Sequence, residues 1–489
     1  MKKVTVIGSG FSGLSCAAYL AKNGCDVTVL EKNDKCGGRA RQFTHNGFKF
    51  DMGPSWFWMK DVFDKFFNDF NKKSTDFFDT IKLDPGFQII FKDNLLKLPS
   101  KWEDILDLFE SYEKGSSVKL KKFMIEAEAK YDIGINTLVQ KPGLSIFELL
   151  DFKVINNLSK LKLFTSYRSL VHKSFKNKYL RSLLEFPVLF LGTAPKDTPS
   201  IYSLMAYSGI KEGTFYTMGG FVSVINAMKS ICDDLGVKFK FNFDVENVEI
   251  KDSKIESIGS SNSQVSAETV ICSADYNFFE QKILPKKYQS YTNRYWQSRT
   301  MSPSSLLFYL GVSQKIKNLE HHNLFFDEDI EEHIDDIYKK PIWPKKPLFY
   351  VCCPSKTDNE VAPKDKENVF ILIPIAPGIE DSGVLRKKYY NIVLDRLSKY
   401  CQIDFKRIIE YERSYCINDF ISDYNAFKGN AYGLANTLSQ TANLKPKIKS
   451  KKLKNLFYTG QLTVPGPGVP PSLISGKVVA NYILNKELC

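Results

Sequence analysis

The sequence predicts an α/β protein in which a domain with a parallel sheet is joined to a second domain of mixed α+β structure. Three observations predict this class. The first forty residues show a strand, a glycine turn, a helix and a second strand; residues 455–484 again show a strand, a glycine turn and a helix; and the middle of the chain mixes strand and helix patterns. A chain of 489 residues is long enough for two or three domains.

The first glycine turn has the spacing of a dinucleotide-binding fingerprint. Residues 4–7 and 26–30 have the apolar pattern of two buried strands. Between them, Gly8, Gly10 and Gly13 open an apolar helix. In such a Rossmann-like βαβ unit the first glycine permits the turn, the second lets the backbone approach a pyrophosphate, and the third lets the helix pack closely on the strand. The N-terminus of the helix then faces the phosphates.

A carboxylate stands where the fingerprint requires one. Glu31 follows the second strand and lies 18 residues beyond Gly13, where it would accept hydrogen bonds from the two hydroxyls of an adenosine ribose. A signal peptide or a marginal membrane span is the alternative, because residues 4–21 carry no charge and follow two lysines. The serines and glycines that dilute this run, and the spacing of the glycines, favour nucleotide binding.

The residues after Glu31 favour FAD over a nicotinamide cofactor. Gly37, Gly38 and Arg39 follow closely, whereas a nicotinamide enzyme needs nothing particular at this point. A glycine pair with an arginine behind it resembles the second phosphate-contacting motif of FAD oxidoreductases of the amine-oxidase and carotenoid-desaturase superfamily. The predicted cofactor is therefore FAD.

Composition sets several limits on the protein. No other stretch approaches about 18 uncharged apolar residues, so no transmembrane helix is expected. The ten cysteines form no CxxC pair and are interpreted as reduced intracellular thiols, with the adjacent Cys352 and Cys353 as structural residues. The five histidines are few and scattered, so no metal site is predicted, and His321 and His322 are expected at the surface. We expect a cytoplasmic protein.

The net charge of +13 is unevenly distributed. Residues 151–181 carry eight Lys or Arg and one acid, interleaved with apolar side chains. This pattern suits an anionic membrane surface, and the alternative is a solvated helix with an ordinary core face. Nucleic acid is not an expected partner, because no reader module is recognisable. Residues 445–454 hold six lysines and are expected to form a solvated linker.

Changes of pattern divide the middle of the chain. Residues 76–215 show hairpin-like and helical patterns without a nucleotide signal, which indicates an inserted substrate or lid region. A glycine turn near residue 219 then opens a helix followed by strands, which indicates a return to the nucleotide domain. The predicted division is FAD-binding segment 1 at 1–75, a substrate and membrane-contact region at 76–215, FAD-binding segment 2 at 216–290, a substrate domain at 291–444, and FAD-binding segment 3 at 445–489.

The third FAD-binding segment is predicted from the C-terminal glycine turn. A strand leads into Gly460 and Gln461, and residues 466–471 lead into the last helix. Main-chain N–H groups at this turn would face the flavin and its ribityl-phosphate arm. No second GxGxxG occurs, so a built-in NADPH domain is not expected.

As a set, these motifs resemble the bacterial-type phytoene desaturases over essentially the whole chain. The resemblance is carried by the fingerprint with Glu31 and by residues 37–41, 50–54, 190–192 through 219–220, 429–433 and 459–477. It implies a fold of the glutathione-reductase and amine-oxidase type, with a Rossmann-like FAD-binding domain assembled from three separated segments. It also implies an apolar substrate tunnel and peripheral attachment to the membrane in which a C40 isoprenoid hydrocarbon dissolves. Gln461 departs from the family, whose members often have alanine or glycine there.

The chemistry predicted for such a protein is desaturation, from phytoene stepwise toward lycopene. A hydride would pass from an allylic carbon to flavin N5, and a proton would leave the adjacent carbon. The sequence marks no convincing base, and Asp51 and Asp275 are interpreted as structural caps, so no catalytic residue is named. The residues expected to bind FAD are Gly8, Gly10, Gly13, Glu31, Gly38, Arg39, Val245, Gly460, Gln461 and Val469.

Two alternatives stay open, and the electron acceptor is a separate question. One is another FAD oxidoreductase of this fold, such as a later-pathway carotenoid desaturase, a carotenoid isomerase or an amine oxidase. The other is a non-catalytic isoprenoid carrier resembling the Rab escort proteins, against which the intact Glu31, Gly38 and Arg39 argue. Because the sequence shows no CxxC pair and no haem or iron–sulfur spacing, electrons are expected to leave to a quinone or O₂.

Overall fold

The computed structural model describes residues 2–145, 148 and 165–486, except for the side chains of residues 190 and 438. The helices are α1 Phe11–Lys22, α2 Lys60–Asp69, α3 Trp102–Tyr112, α4 Ser116–Asn136, α5 Tyr167–Ser174, α6 Lys178–Glu185, α7 Leu204–Ala206, α8 Phe221–Asp234, α9 Tyr276–Phe278, α10 Asn293–Gln297, α11 Ile330–Tyr338, α12 Gly383–Cys401, α13 Phe405–Ile408, α14 Ile417–Tyr424 and α15 Val469–Lys486. The strands are β1 Lys3–Ile7, β2 Asp26–Leu30, β3 Gln42–His45, β4 Phe48–Asp51, β5 Thr80–Lys82, β6 Phe87–Phe91, β7 Leu95–Leu98, β8 Phe215–Thr217, β9 Lys238–Lys240, β10 Asn247–Lys251, β11 Lys254–Gly259, β12 Gln264–Ser266, β13 Thr269–Cys272, β14 Ser304–Val312, β15 His322–Phe326, β16 Phe349–Cys352, β17 Glu367–Ile375, β18 Ile409–Tyr415 and β19 Leu456–Tyr458.

One parallel sheet gathers strands from three distant parts of the chain. Its order is β19-β13-β1-β2-β9, and β1 pairs in parallel with β2 on one side and with β13 on the other. Four of the five residues of β1 are buried. Helices α1, α8 and α15 pack in the same hydrophobic cluster as this sheet. The arrangement confirms the predicted Rossmann-like α/β fold.

Two glycines allow α1 to lie unusually close to its neighbours. A Cβ on Gly13 would stand 2.0 Å from the carbonyl oxygen of Gly8, and a Cβ on Gly476 would stand 2.4 Å from that of Ser12. Since no real Cβ approaches an oxygen so closely, only glycine permits the helix to pack on its own turn and α15 to pack on the helix. This close packing joins the two ends of the chain.

The second large sheet has seven strands, in the order β18-β14-β17-β16-β15-β6-β7. Its pairs are antiparallel except for β15 with β6. Strand β14 pairs with β17 over nine residues, and all nine residues of β14 are buried. The sheet thus unites β6 and β7 from the 76–215 region with strands from 304–415. The division of the chain into five segments stays a prediction.

The basic stretch at 151–181 is only partly described, because residues 149–164 lie outside the described ranges. In the described part, Tyr167, Val171 and Phe175 are fully buried in the core. These apolar side chains face the protein interior, as in a solvated helix with an ordinary core face. Within the described residues, we find no helix with the length and apolar character needed to cross a membrane.

Candidate functional site

The turn between β1 and α1 presents backbone N–H groups at the carboxyl edge of the parallel sheet. Gly8 has a φ of +97°, which favours glycine, and its N–H donates to the carbonyl of Leu30 at 2.8 Å. Gly10 is the N-cap of α1, and no described side chain caps this helix. The first N–H groups of a helix have no intrahelical partner. They can therefore bind a phosphate.

A second glycine turn lies directly against the first. The N–H of Gly37 donates to the carbonyl of Ser9 at 3.0 Å, and a Cβ on Gly38 would lie 3.3 Å from the Cα of Gly10. Because neither turn carries a side chain at this contact, their backbones form one continuous surface. A pyrophosphate can approach such a surface closely.

Glu31 is buried and fixed by four hydrogen bonds. Its Oε2 accepts from the backbone N–H of Ser9 at 2.8 Å and from Ser9 Oγ at 2.6 Å. Its Oε1 accepts from the backbone N–H of Asn33 at 2.9 Å and from Asn33 Nδ2 at 2.8 Å. A carboxylate offers about four acceptor sites, so ribose hydroxyls would replace the rotatable Ser9 and Asn33 side-chain donors.

Arg39 links the second glycine turn to the third. The guanidinium lies 5.0 Å from the ring centroid of Tyr424, and its burial lowers the pKa of Arg39. With the Gln461 amide oriented to satisfy its neighbours, the amide oxygen accepts from the two terminal nitrogens of Arg39 at 3.2 and 2.9 Å. The amide nitrogen then donates to the carbonyl of Tyr432 at 3.0 Å. The residue that departs from the family pattern therefore holds the arginine in place.

The third glycine turn meets the other two loops beside α1. The N–H of Gly460 donates to Ser475 Oγ at 2.9 Å, and a Cβ on Gly460 would lie 3.1 Å from Ser12 Oγ. Ser12 Oγ is also 2.7 Å from the Oγ of Ser273, which follows β13.

Helix α15 begins at Val469, three residues before the start predicted at residue 472, because prolines fit the first helical turn.

One cavity of about 470 Å³ runs past all three turns. Nine of the ten residues predicted to bind FAD line it: Gly8, Gly10, Glu31, Gly38, Arg39, Val245, Gly460, Gln461 and Val469. Gly13 does not line the cavity, because it serves the packing of α1 on the turn. Val245 is 7% exposed. It follows two residues after Phe243, whose N–H donates to the carbonyl of Glu31 at 2.8 Å.

The same cavity continues to an apolar end formed by the seven-stranded sheet. A row of cross-strand neighbours on β14, β17, β16 and β15 forms one wall: Leu307, Leu372, Tyr350 and Leu324. Trp56, Trp58 and Ile334 of α11 also line this end. Such a wall suits a ligand without polar groups, whose recognition depends on shape and apolar contact.

Two carboxylates near the site, one buried and one half-buried, act as caps. Asp275 lines the cavity and accepts from the backbone N–H of Phe278 at 2.9 Å and from that of Phe427 at 3.1 Å. Asp51 accepts from the N–H of Phe221 at 2.8 Å, at the start of α8, and burial raises the pKa of Asp51 to about 7. These bonds agree with the structural role expected for both residues.

Some residues of the site were not predicted from the sequence. Ser9 occupies the variable position of the glycine fingerprint, and Asn33 has no motif around it. Asn430, whose carbonyl accepts from Arg39 at 3.3 Å, lies inside the 429–433 motif, which carried the resemblance but gave the asparagine no role. Tyr424 had no sequence signal, because its contact with Arg39 joins residues far apart in the chain.

The residues present fit FAD. The two apposed glycine turns leave a side-chain-free approach, and the N-terminus of α1 has no described side-chain cap. Arg39 Nε is buried and has no hydrogen-bond partner among the described residues, so it can donate to a bound acceptor. Glu31, Arg39, Gly460 and Val469 would hold the cofactor along the cavity.

Comparison with known proteins places this site in a family. The family described as flavin containing amine oxidoreductase matches residues 11–484. The carotenoid 3,4-desaturase of Haloarcula japonica is 36% identical over 98% of both chains. The 4,4'-diapophytoene desaturase (4,4'-diaponeurosporene-forming) of Staphylococcus haemolyticus is 29% identical over 98% of both chains. The zeta-carotene-forming phytoene desaturase of Myxococcus xanthus is 26% identical over 99% of this chain and 94% of its own.

Solved structures share the fold at low sequence identity. An oxidoreductase from Methanosarcina mazei has a TM-score of 0.63 at 14% identity, covering 98% of this chain and 100% of its own. Cyclohexylamine oxidase from Brevibacterium oxydans has a TM-score of 0.57 at 14% identity, covering 99% of both chains. The family match and the sequence relatives, together with the residues that line the cavity, identify the cofactor as FAD. The chain belongs to the flavin-containing amine oxidoreductase family and, within it, to the FAD-dependent carotenoid desaturases.

Proposed function

We propose that this protein introduces carbon–carbon double bonds into a C40 isoprenoid hydrocarbon, with phytoene as the first candidate substrate and stepwise conversion toward lycopene. The single observation that carries the proposal is the continuity of the cavity. Its glycine-lined end fits a dinucleotide, and its apolar end fits a hydrocarbon. Hydride transfer requires that substrate and flavin share one enclosed space from which water is excluded.

The chain's own residues bind, orient and exclude water. When bound, FAD supplies the two-electron oxidation by accepting a hydride from an allylic carbon. Glu31 and the glycine turns fix the nucleotide, while Arg39, held by Gln461 and Tyr424, supplies a buried positive charge beside it. The apolar row on the seven-stranded sheet aligns the substrate. We assign no proton acceptor, because the cavity carboxylate Asp275 accepts two backbone hydrogen bonds as a cap.

A second candidate reaction is desaturation of an already conjugated carotenoid at its 3,4 bond. One observation favours it: the relative named carotenoid 3,4-desaturase is 36% identical, against 26% and 28% for phytoene desaturases of Myxococcus xanthus and Phycomyces blakesleeanus. Both reactions would use the same cofactor site and the same apolar wall. They differ in the length of conjugation that the substrate brings.

Expression in two hosts separates the candidates. We expect cells that accumulate phytoene to form coloured polyenes when they produce this chain, as seen in a chromatographic pigment profile. Conversion only in cells that accumulate lycopene would support the 3,4-desaturase instead. The matched control is Gly10→Val, whose side chain would block the approach of the FAD pyrophosphate to the glycine turn. Unchanged pigments in both hosts, with folded and FAD-loaded protein, would contradict desaturation.

We also propose peripheral attachment to a membrane surface. The substrate class dissolves in lipid, and Lys173, Lys176 and Lys178 are exposed while Phe175, the one apolar side chain between them, is buried. Each basic residue near an anionic surface contributes about 1 kcal/mol of binding. The contact would therefore be electrostatic rather than inserted along residues 167–181.

The proposed electron acceptor is a diffusible quinone or O₂. The chain has one dinucleotide fingerprint, so a second nucleotide has no motif of its own. In anaerobic liposomes containing phytoene, we expect conversion to stop and to restart when a benzoquinone is added. NADP⁺ should not restart it. Many turnovers with NADP⁺ alone would contradict both the acceptor and the single-cofactor interpretation.

A further inference from the structure

Three buried histidines differ in how their ring nitrogens are used. His333 uses both, since its Nε2 is 2.8 Å from the carbonyl of Pro374 and its Nδ1 accepts from the N–H of Leu348 at 2.8 Å. His321 and His322 are 4% and 0% exposed, so the expectation that they lie at the surface is wrong. Each of them leaves Nε2 buried and without a hydrogen-bond partner among the residues that the structure describes. Buried polar atoms normally have a hydrogen-bond partner, so the open state of these two nitrogens needs an explanation.

The other nitrogen of each ring is fixed by a hydroxyl. His321 Nδ1 lies 2.7 Å from Thr357 Oγ1, and His322 Nδ1 lies 2.6 Å from Tyr350 Oη. The ring of His322 also stacks on Trp56 at a centroid distance of 4.1 Å. A histidine held through one nitrogen, with the other open, is the usual arrangement of a metal ligand with its outer hydrogen-bond partner.

A thiol completes a set of three ligands. Cys352 stands directly opposite His322 across the β15–β16 pair. Its Sγ and one nitrogen of each histidine all lie within 4.8 Å of one another, and all three residues are buried. Ligands of one tetrahedral zinc are about 3.4–3.6 Å apart, given Zn–N near 2.05 Å and Zn–S near 2.3 Å. For a pair of atoms at the 4.8 Å limit, the separation must shorten by roughly 1.2 Å before both can bind one ion.

The surroundings offer a fourth position and compensating charge. A cavity of about 30 Å³ is lined by His321, Cys352 and Asp51, and a single water fits such a space. Asp51 supplies a carboxylate on its wall, and Asp358 is close enough to His321 to interact with it electrostatically. A thiolate and these two carboxylates can balance a divalent cation.

We propose that His321, His322 and Cys352 bind one Zn²⁺ ion, with water as the fourth ligand. Two imidazoles and a thiol suit zinc better than the oxygen-preferring Mg²⁺ or Ca²⁺. Binding forms two Zn–N bonds and one Zn–S bond, and the Cys352 thiol releases its proton to solvent. The ion would clamp the ends of β15 and β16 behind Tyr350 and Trp56, which line the substrate cavity. This proposal replaces the expectation of no metal.

The test is the zinc content of the FAD-loaded protein, expressed with added zinc and dialysed against metal-free buffer. We expect about one zinc per chain, and at least about 100-fold weaker zinc affinity in Cys352→Ala, since even outer-shell changes cost 10–100-fold. Cys353→Ala is the matched control, because Cys353 is also buried but lies in the hydrophobic cluster on the other face of the sheet. It should retain its zinc.

A second measurement uses the wild-type chain alone, so that it does not depend on the folding of a variant. Cobalt added to the zinc-free protein should give the intense long-wavelength bands of a tetrahedral site with sulfur, beyond the flavin absorption. Thr357→Val, which removes the partner of His321 Nδ1, should weaken zinc binding about tenfold. Wild-type protein that takes up neither zinc nor cobalt, or equal zinc in wild type and Cys352→Ala, would overturn the proposal.

Discussion

Protein carrying Gly10→Val is expected to lose its bound FAD while its apoprotein unfolds at the wild-type temperature. Gly10 has a φ of −75°, which any residue adopts, and a Cβ there would meet no described atom closer than the Cα of Gly38 at 4.0 Å. The fold therefore accepts the new side chain. Its methyl groups, however, would cover the backbone surface that the two glycine turns form, where the pyrophosphate must approach.

We expect FAD affinity to fall by at least about 100-fold, equivalent to about 2.7 kcal/mol. The measurements are the flavin-to-protein absorbance ratio, FAD titration of the apoprotein and its thermal unfolding. Gly383→Val is the matched control, because Gly383 also stands at a helix start and a Cβ there would meet nothing described within 4 Å. Gly13→Ala should instead destabilise the fold, since its Cβ would lie 2.0 Å from Gly8 O. Equal FAD binding in wild type and Gly10→Val would remove this turn from the cofactor site.

The parts of the structure predicted well from the sequence are those governed by local rules. The strand predicted at residues 26–30 is β2, Asp26–Leu30, and the helix predicted after the glycine turn near residue 219 is α8, Phe221–Asp234. Strand alternation and glycine turns follow from neighbouring residues alone. Nine of the ten predicted FAD residues line one cavity, and Gly8, Gly10, Gly38 and Gly460 among them belong to the glycine turns.

The parts that were missed depend on contacts between distant residues. In the sequence, Gln461 is only a departure from the family pattern. In the structure its amide accepts hydrogen bonds from Arg39, which lies 422 positions earlier in the chain. The lysine-rich stretch at 445–454 was expected in solvent, but Lys445 is 2% exposed and burial lowers its pKa to about 7. The burial of His321 and His322 likewise comes from tertiary packing, which a sequence of polar residues does not reveal.

The second large effect is expected for the variant Leu372→Trp, which changes the apolar wall of the cavity. Leu372 is half-buried in the middle of β17, although Ile371 and Ile373 beside it are fully buried on the opposite face. Its cross-strand neighbours are Leu307 and Tyr350, which line the same cavity. Its side chain therefore borders the apolar space, and an indole there would narrow the space available to a polyene.

Desaturation by Leu372→Trp is expected to fall by about 100-fold, because a displacement of about 1 Å between substrate and cofactor can cost that much. FAD occupancy and the unfolding temperature should stay close to wild type, since the glycine turns lie at the other end of the cavity. Leu372→Met conserves volume and should retain most activity. Product formation is measured by chromatography in liposomes. If Leu372→Trp desaturated its substrate at the wild-type rate with normal FAD content, the polyene could not lie along this row of side chains, and the apolar end of the cavity would lose its role as the substrate tunnel.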